Sequence, residues 1–185
     1  DSTLKGAHFM QLCDQKRIPV LFLQNITGYM VGREYERRGI TKDGAKMIMA
    51  QSCSRVPKFT VMCNGSFGAG NYGMCGRAFD GRFLFAWPNH QIGVMGGDQA
   101  ANTLAEVKAN QMKRAGGTVD QAAVDQVWEE TRKAYQEQLS AYYSTSELWD
   151  DGIIDPVDTR NALAVALSAS LNAPLGPPGY GVFRF

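Results

Sequence analysis

Phe59-Thr-Val-Met-Cys63, followed at once by Asn64-Gly-Ser-Phe-Gly-Ala-Gly-Asn-Tyr-Gly-Met-Cys-Gly76, decides the architecture. The first run is short and wholly apolar, as in a strand covered on both faces. The second is studded with glycine, which has no Cβ, so the backbone can turn tightly and come close to a ligand. A strand, a glycine turn and a short helix over Asn71 to Gly76 would aim free backbone N–H groups at one point. That arrangement binds anions or steadies a developing oxyanion. Read without further context, the same run serves equally as a tight helix–sheet packing turn.

Outward from this run the chain alternates strands and helices. Residues 3–15 repeat apolar side chains at helical spacing (Leu4, Ala7, Met10), and Pro19-Val-Leu-Phe-Leu23 reads as a buried strand. Asn25 to Gly32 is a loop leaving that strand, and Arg33 to Gly39 is charged and exposed. Thr41 is a plausible N-cap for a helix running to about Arg55. Phe83 to Trp87 and Gln91 to Met95 are two further strands, separated by the turn pair Pro88-Asn89. A long helix runs from Gly96-Gly97-Asp98 to about Arg114, with a break at Gly116-Gly117. Val119 to Leu139 is helical but too polar for a core helix, which leaves it to project or to pack against a partner. Leu148 to Pro156 is a helix end and turn, 157–172 a last helix, and Pro174 to Phe185 an extended tail lying on a surface. Strand–helix alternation followed by helices gives an α/β layered domain.

Composition narrows the function classes. At 185 residues the chain is long enough to bury a real core. Its 19 basic and 18 acidic residues nearly balance, so neither a basic stripe for nucleic acid nor an acidic tail is indicated. Cys13, Cys53, Cys63 and Cys75 lie far apart, without Cys-x-x-Cys spacing, and read as small core residues of a reducing compartment. Neither they nor His8 and His90 have metal-ligand spacing, so no metal site is expected. No run is long and apolar enough to span a membrane, and no signal peptide is visible. The start at Asp1 reads as a cut from a longer polypeptide or as a processed terminus.

Three segments together carry a resemblance: Leu21 to Gly32, Gly65 to Ala78, and Trp87-Pro-Asn89 with Val94 to Ala101. With Leu148 to Pro156 and the closing Gly181-Val-Phe-Arg184, they make the whole chain resemble the C-terminal half of a carboxyltransferase β subunit of a biotin-dependent acyl-CoA carboxylase. The likeness is strongest to the methylcrotonoyl-CoA and geranoyl-CoA carboxylase branch.

This resemblance implies a crotonase-like spiral of ββα units with additional C-terminal helices. Residues 1–185 would be one carboxyltransferase C domain, with an N domain elsewhere in a longer subunit. The active site would lie between this domain and the N domain of another β subunit, in a hexameric β core. The N domain would hold most of the acyl-CoA. The present chain would receive carboxybiotin carried by a separate α subunit. Its carboxyl group would pass to the γ-carbon of an α,β-unsaturated branched acyl-CoA.

By the same resemblance, the backbone N–H groups of Ala69 and Gly70 would form the oxyanion hole for the biotin ureido oxygen. Phe67, Gly68 and Asn71 would shape its wall. The ureido nitrogen would take the substrate proton, so no protein general base is required. The first oxyanion hole, for the thioester, would lie on the N domain, leaving this stretch alone inactive. The setting would be the cytoplasm of a bacterium or the mitochondrial matrix of a eukaryote.

Other positions carry two readings. Thr27 and Gly28 are either a second wall of the biotin or acyl pocket or a strand-end turn. Tyr29 and Met30 either line an acyl channel or pack in the core. Gly96 and Gly97 either face the thioester and pantetheine or open a helix, where Asp98 complements the dipole. His90 is expected to face solvent at its turn, and His8 to be structural. Ala86 stands where a bulkier residue is expected in methylcrotonoyl-type chains. It makes either room for a longer acyl tail or a neutral core change. Ala86, with the drift of Asn89 to Val94, tips the substrate slightly toward geranoyl-CoA over 3-methylcrotonoyl-CoA. Two other classes compete: a crotonase-type hydratase or isomerase, which needs acid/base carboxylates near the glycine loop, and a non-catalytic assembly module using residues 119–143.

Overall fold

The computed structural model describes residues 1–181 and 183. Val182, Arg184 and Phe185 lie outside the described residues, so the last part of the Gly181 to Arg184 motif does too. The elements in chain order are α1 (Ser2–Lys16), β1 (Val20–Ile26), α2 (Arg33–Arg37), α3 (Ile40–Cys53), β2 (Lys58–Phe67) and α4 (Ala69–Gly73). They continue with β3 (Phe83–Ala86), β4 (Gln91–Gly93), α5 (Gly97–Arg114), α6 (Gln121–Gln138), α7 (Ala141–Ser146) and α8 (Thr159–Ser170). Single 3-10 turns sit at Arg77–Phe79 and Pro156–Asp158.

All strand pairings in the sheet are parallel. β1 runs along one edge of β2, with Val20 opposite Lys58 and Leu23 opposite Val61. β3 covers the first half of β2's other edge, from Phe59 to Met62, and β4 covers Gly65 to Phe67. The turn at Pro88-Asn89 therefore does not reverse the chain. It steps β3 into β4 in the same direction, pinned by Trp87 N–H to Met62 O (3.0 Å) and His90 N–H to Trp87 O (3.0 Å).

The central strand β2 is buried from Lys58 to Met62, as its apolar run requires. β1 alternates instead: Val20, Phe22 and Gln24 are buried, and Leu21 and Leu23 are exposed. It is thus half-covered rather than buried on both faces. The larger core cluster joins α1 (Ala7, Met10, Cys13), β1 (Val20, Phe22) and the end of α3 (Ala50) to Cys75. The tail crosses this cluster, with Leu175 and Phe183 packed against it, which is the surface-lying role its composition suggests.

Helix ends differ from the sequence pattern by a residue or two. α3 begins at Ile40, because Gly39 turns the chain with φ 90°, and Thr41 already lies inside the helix. Part of the charged segment after Gly32 forms the short exposed helix α2. The polar helix α6 does not stand alone. It lies antiparallel on α5, with Asp98 paired to Arg132 (2.9 Å) and Asn102 Oδ1 accepting from Trp128 Nε1 (2.7 Å). Among the described residues no helix is long and apolar enough to cross a membrane.

Candidate active site

Helix α4 begins at Ala69 rather than Asn71, because Gly68 alone makes the turn. Its φ of 57° and ψ of −144° belong to glycine's share of conformational space. A Cβ there would stand 3.1 Å from Val94 O. The Gly68 N–H is bonded to Gly93 O (3.0 Å), and the Asn71 N–H turns back to Gly68 O (3.2 Å). Between them, the N–H groups of Ala69 and Gly70 have no acceptor among the described residues. They are orphan donors of a helix's first turn. Ala69 is exposed and Gly70 buried.

The loop after β1 forms the second side. A Cβ on Gly70 would meet Ile26 Cδ1 at 2.7 Å, Ile26 Cγ1 at 2.8 Å and Gly28 Cα at 3.2 Å, so α4 rests directly on the end of β1. Gly28 (φ 115°) faces Phe67 O. The Tyr29 ring is wedged between two glycines: Gly44 on α3, and Gly73, where any Cβ would collide with the phenol oxygen. That oxygen is buried without a hydrogen-bond partner, and burial pushes the phenol's pKa up. Two cavities open on either side of Tyr29 and Met30. One, of about 490 Å³, reaches Gly28, Gly70 and Gly73. The other, of about 360 Å³, reaches Val31, Ile48 and Ala69. The orphan donors thus sit at the border of two hollows whose shared wall is the loop after β1.

Gly28, Tyr29, Phe67, Gly68, Ala69, Gly70 and Asn71 are brought together, with Thr27 exposed at the strand end between Ile26 and Gly28. Gly96, the N-cap of α5, stands two residues past Val94 with open space where a Cβ would be. Gly97 lies instead against α6, where an added Cβ would stand 3.3 Å from Tyr135 Cβ, and its lack of a side chain lets the two helices close. Ala86 is not at the loop. It has no exposed surface and packs in a second cluster with Met62, Leu84, Ile92 and Ile153, which favours the core reading of this position.

His90 requires a correction. It does not face solvent: it is 1 % exposed, with Nε2 3.1 Å from the buried Ser144 Oγ. The ring points inward onto α7, and Asp150 lies just beyond, 3.3 Å from the same serine hydroxyl. Burial pushes the imidazole pKa down, while the nearby Asp150 charge pulls it up. His8 is exposed on α1. Burial likewise raises the Cys13, Cys63 and Cys75 thiols.

Sequence reasoning missed four buried polar side chains that surround α4: Gln24, Gln51, Thr60 and Ser66. The only signal was Gln24, a polar residue closing the run Leu21-Phe-Leu-Gln24 in a strand. Two of the carboxylates near the loop are engaged, while Asp1, which lines the larger cavity, has no side-chain partner among the described residues. Glu36 accepts from Thr41 Oγ1 (2.6 Å) and Asp43 pairs with Lys46 (3.2 Å). Among the described residues no group of three or more His, Cys, Asp or Glu converges as a metal site would. The arrangement therefore offers paired main-chain donors beside one apolar hollow and one that also carries Asp1, Arg38 and Asp43, and no side-chain acid/base pair is evident there among the described residues.

Residues 1–178 match the family model described as the carboxyl transferase domain. The chain is 56 % identical over its full length to the biotin-dependent 3-methylcrotonyl-coenzyme A carboxylase beta1 subunit of Mycobacterium tuberculosis, of which it spans 35 %. It is 53 % identical to the mitochondrial methylcrotonoyl-CoA carboxylase beta chain of Arabidopsis thaliana, of which it spans 31 %. Among solved structures, the geranyl-CoA carboxylase beta subunit of P. aeruginosa superposes with a TM-score of 0.84 at 46 % identity, over 99 % of this chain and 35 % of that one. One chain of the transcarboxylase 12S crystal structure gives a TM-score of 0.83 at 31 % identity, over 100 % of this chain and 34 % of that one. The chain thus spans about a third of the relatives it matches, and its fold is the crotonase-like fold of carboxyltransferases.

Proposed function

Because the chain belongs to the carboxyl transferase domain family, we propose that it supplies the biotin-facing part of a carboxyltransferase active site in a biotin-dependent acyl-CoA carboxylase. The observation that carries this is the pair of Ala69 and Gly70 N–H groups, left without acceptors where β2 ends. They fit the ureido oxygen of biotin, a neutral acceptor that gains negative charge as the carboxyl group leaves. Carboxybiotin, when bound, supplies the carboxyl group and a ureido ring that can take up the substrate proton. The chain's own part is to donate those two N–H bonds, to wall the ring with Phe67, Gly68, Asn71, Thr27, Gly28 and Tyr29, and to keep water out. One well-placed donor of this kind is worth about 3–4 kcal/mol of transition-state stabilisation. With Glu36 and Asp43 engaged and Asp1 alone on the larger cavity, no free carboxylate pair stands beside the loop among the described residues, which speaks against the hydratase or isomerase reading.

The partners that follow are an acyl-CoA, the N domain of another β subunit and a biotin-bearing α subunit, in a hexameric β core. The compartment is the cytoplasm of a bacterium or the mitochondrial matrix of a eukaryote. We take the substrate to be a branched α,β-unsaturated acyl-CoA carboxylated at the γ-carbon. Between the two candidates, identities of 50–56 % to methylcrotonoyl-type chains against 46 % to the geranyl-CoA enzyme favour 3-methylcrotonoyl-CoA. The residues that pointed to geranoyl-CoA weigh less, since Ala86 and His90 are both packed in the interior. Kinetics of the intact β subunit, assembled with its biotin-bearing partner, test both levels. Carboxylation should require biotin and show the higher kcat/KM on 3-methylcrotonoyl-CoA. A higher value on geranoyl-CoA reverses the substrate choice, and no carboxylation of either ester overturns the function.

A further inference from the structure

Among the described residues, five polar side chains have no exposed surface: Gln24, Gln51, Thr60, Ser66 and Ser144. Four of them serve one short element. Gln51 Nε2 donates to Tyr72 O (3.0 Å), Gln24 Nε2 to Met74 O (2.7 Å) and Thr60 Oγ1 to Cys75 O (2.7 Å). Ser66 closes a ring. Its hydroxyl accepts from Asn71 Nδ2 (2.8 Å) and donates to Gln24 Oε1 (2.6 Å). The ring therefore runs from α4 at Asn71, through β2 and β1, and back to the carbonyl at α4's C-cap. Each bond in it has one possible direction, because the Gln24 amide nitrogen must face a carbonyl and its oxygen must then face the serine.

We propose that Ser66 and Gln24 are positioning residues for carboxyl transfer: they hold α4 so that the Ala69 and Gly70 N–H groups keep their aim. The inference rests on the carboxyltransferase reading above. A helix of five residues is far below the ~12–15 at which an isolated helix is even marginal, so its orientation must come from outside. The apolar contact with Ile26 sets how close α4 comes to β1. The ring sets its rotation, gripping it at Asn71 and at Met74 O. Gly76 locks the grip from behind, since a Cβ there would collide with the Asn71 amide. Misplacing a catalytic group by ~1 Å can cost ~100-fold in rate, so a small rotation of α4 suffices to be felt.

The test uses the intact subunit with its biotin-bearing partner. Ser66→Ala should lower kcat by about ten- to a hundredfold while leaving the KM for acyl-CoA nearly unchanged, because ground-state binding is not touched. Amide hydrogen exchange over residues 68–74 should accelerate about tenfold. Ser66→Thr, which keeps the hydroxyl, should retain most of the kcat. Ser144→Ala removes an equally buried hydroxyl away from α4, and should lower the melting temperature without changing kcat or exchange in that segment. Gln24→Met keeps the volume, loses the amide, and should give the same split if Ser66→Ala does not fold. Equal kcat in wild type and Ser66→Ala, or a kcat loss matched by Ser144→Ala, overturns the inference. A wild type that carboxylates nothing counts against the carboxyltransferase reading instead, while the exchange result still reports on whether the ring holds α4.

Discussion

Replacing Gly70 with alanine tests whether the close seat of α4 on β1 matters for its donors. Gly70 has no positive φ, so alanine is conformationally allowed and even gains helix propensity, about 0.5–1 kcal/mol over glycine. What it lacks is room, since the added methyl would stand 2.7 and 2.8 Å from Ile26 Cδ1 and Cγ1. Ordinary carbon contacts need ~3.5–4.0 Å, so Ile26 and α4 must separate by roughly 1 Å between them. Overpacking of this kind costs about 1–3 kcal/mol, which the propensity gain offsets in part. Stability should therefore fall by no more than about 2.5 kcal/mol, and kcat by about ten- to a hundredfold as the donors lift off their target. The decisive measurement is the double variant Gly70→Ala/Ile26→Ala, which removes the two severe contacts and leaves only the 3.2 Å approach to Gly28 Cα. If displacement is the cause, the double variant regains kcat relative to Gly70→Ala, even though Ile26→Ala itself removes packing. A double variant as slow as or slower than Gly70→Ala refutes the steric argument, and unchanged kcat in Gly70→Ala refutes the assignment of the donors.

His90 is held neutral by burial, with its folded-state pKa below the ordinary 6.5. The stability tied to that burial is complete above about pH 6.5 and is lost as pH falls toward the folded value, because the unfolded chain binds the proton first. Thermal melting of wild type should thus decline from neutral to mildly acidic pH more steeply than that of His90→Gln, and parallel curves would refute this. Tyr29→Phe should leave the melting temperature unchanged or raise it, because the phenol oxygen is buried without a partner. A loss of more than about 1 kcal/mol would mean that this hydroxyl is bonded in the folded protein.

The elements were legible wherever one segment carries its own periodicity. Phe59 to Cys63 announced the central strand, and the glycines after it announced the turn. The boundary of α4 was misjudged because a stretch with five glycines between 65 and 76 does not say which of them turns. Only the backbone angles of Gly68 single it out. The polarity of residues 119–139 correctly argued against a core helix, yet could not reveal that α5 offers Asp98 and Asn102 at the spacing of Arg132 and Trp128. His90 was read from its neighbours Pro88 and Asn89. Its real environment is Ser144 and Asp150, more than fifty positions away in sequence.

The same division runs through the site. The proposed wall residues Gly28, Tyr29, Phe67, Gly68 and Asn71 sit in glycine-rich segments that already look unlike ordinary strand or helix. The residues that hold the wall do not look unusual: Gln51 lies inside a helix, and Thr60 is a common strand residue. Their meaning comes from a carbonyl on another element that would otherwise be buried unsatisfied, at about 1–3 kcal/mol each. Tyr72 O, Met74 O and Cys75 O are three such carbonyls, consecutive or nearly so, at the end of a helix too short to satisfy them itself. A glycine-rich loop can present free N–H groups only if something else meets its carbonyls. Two free donors at α4's N-terminal end and three tied acceptors at its C-terminal end are therefore one design, written partly in the motif and partly in β1, α3 and β2.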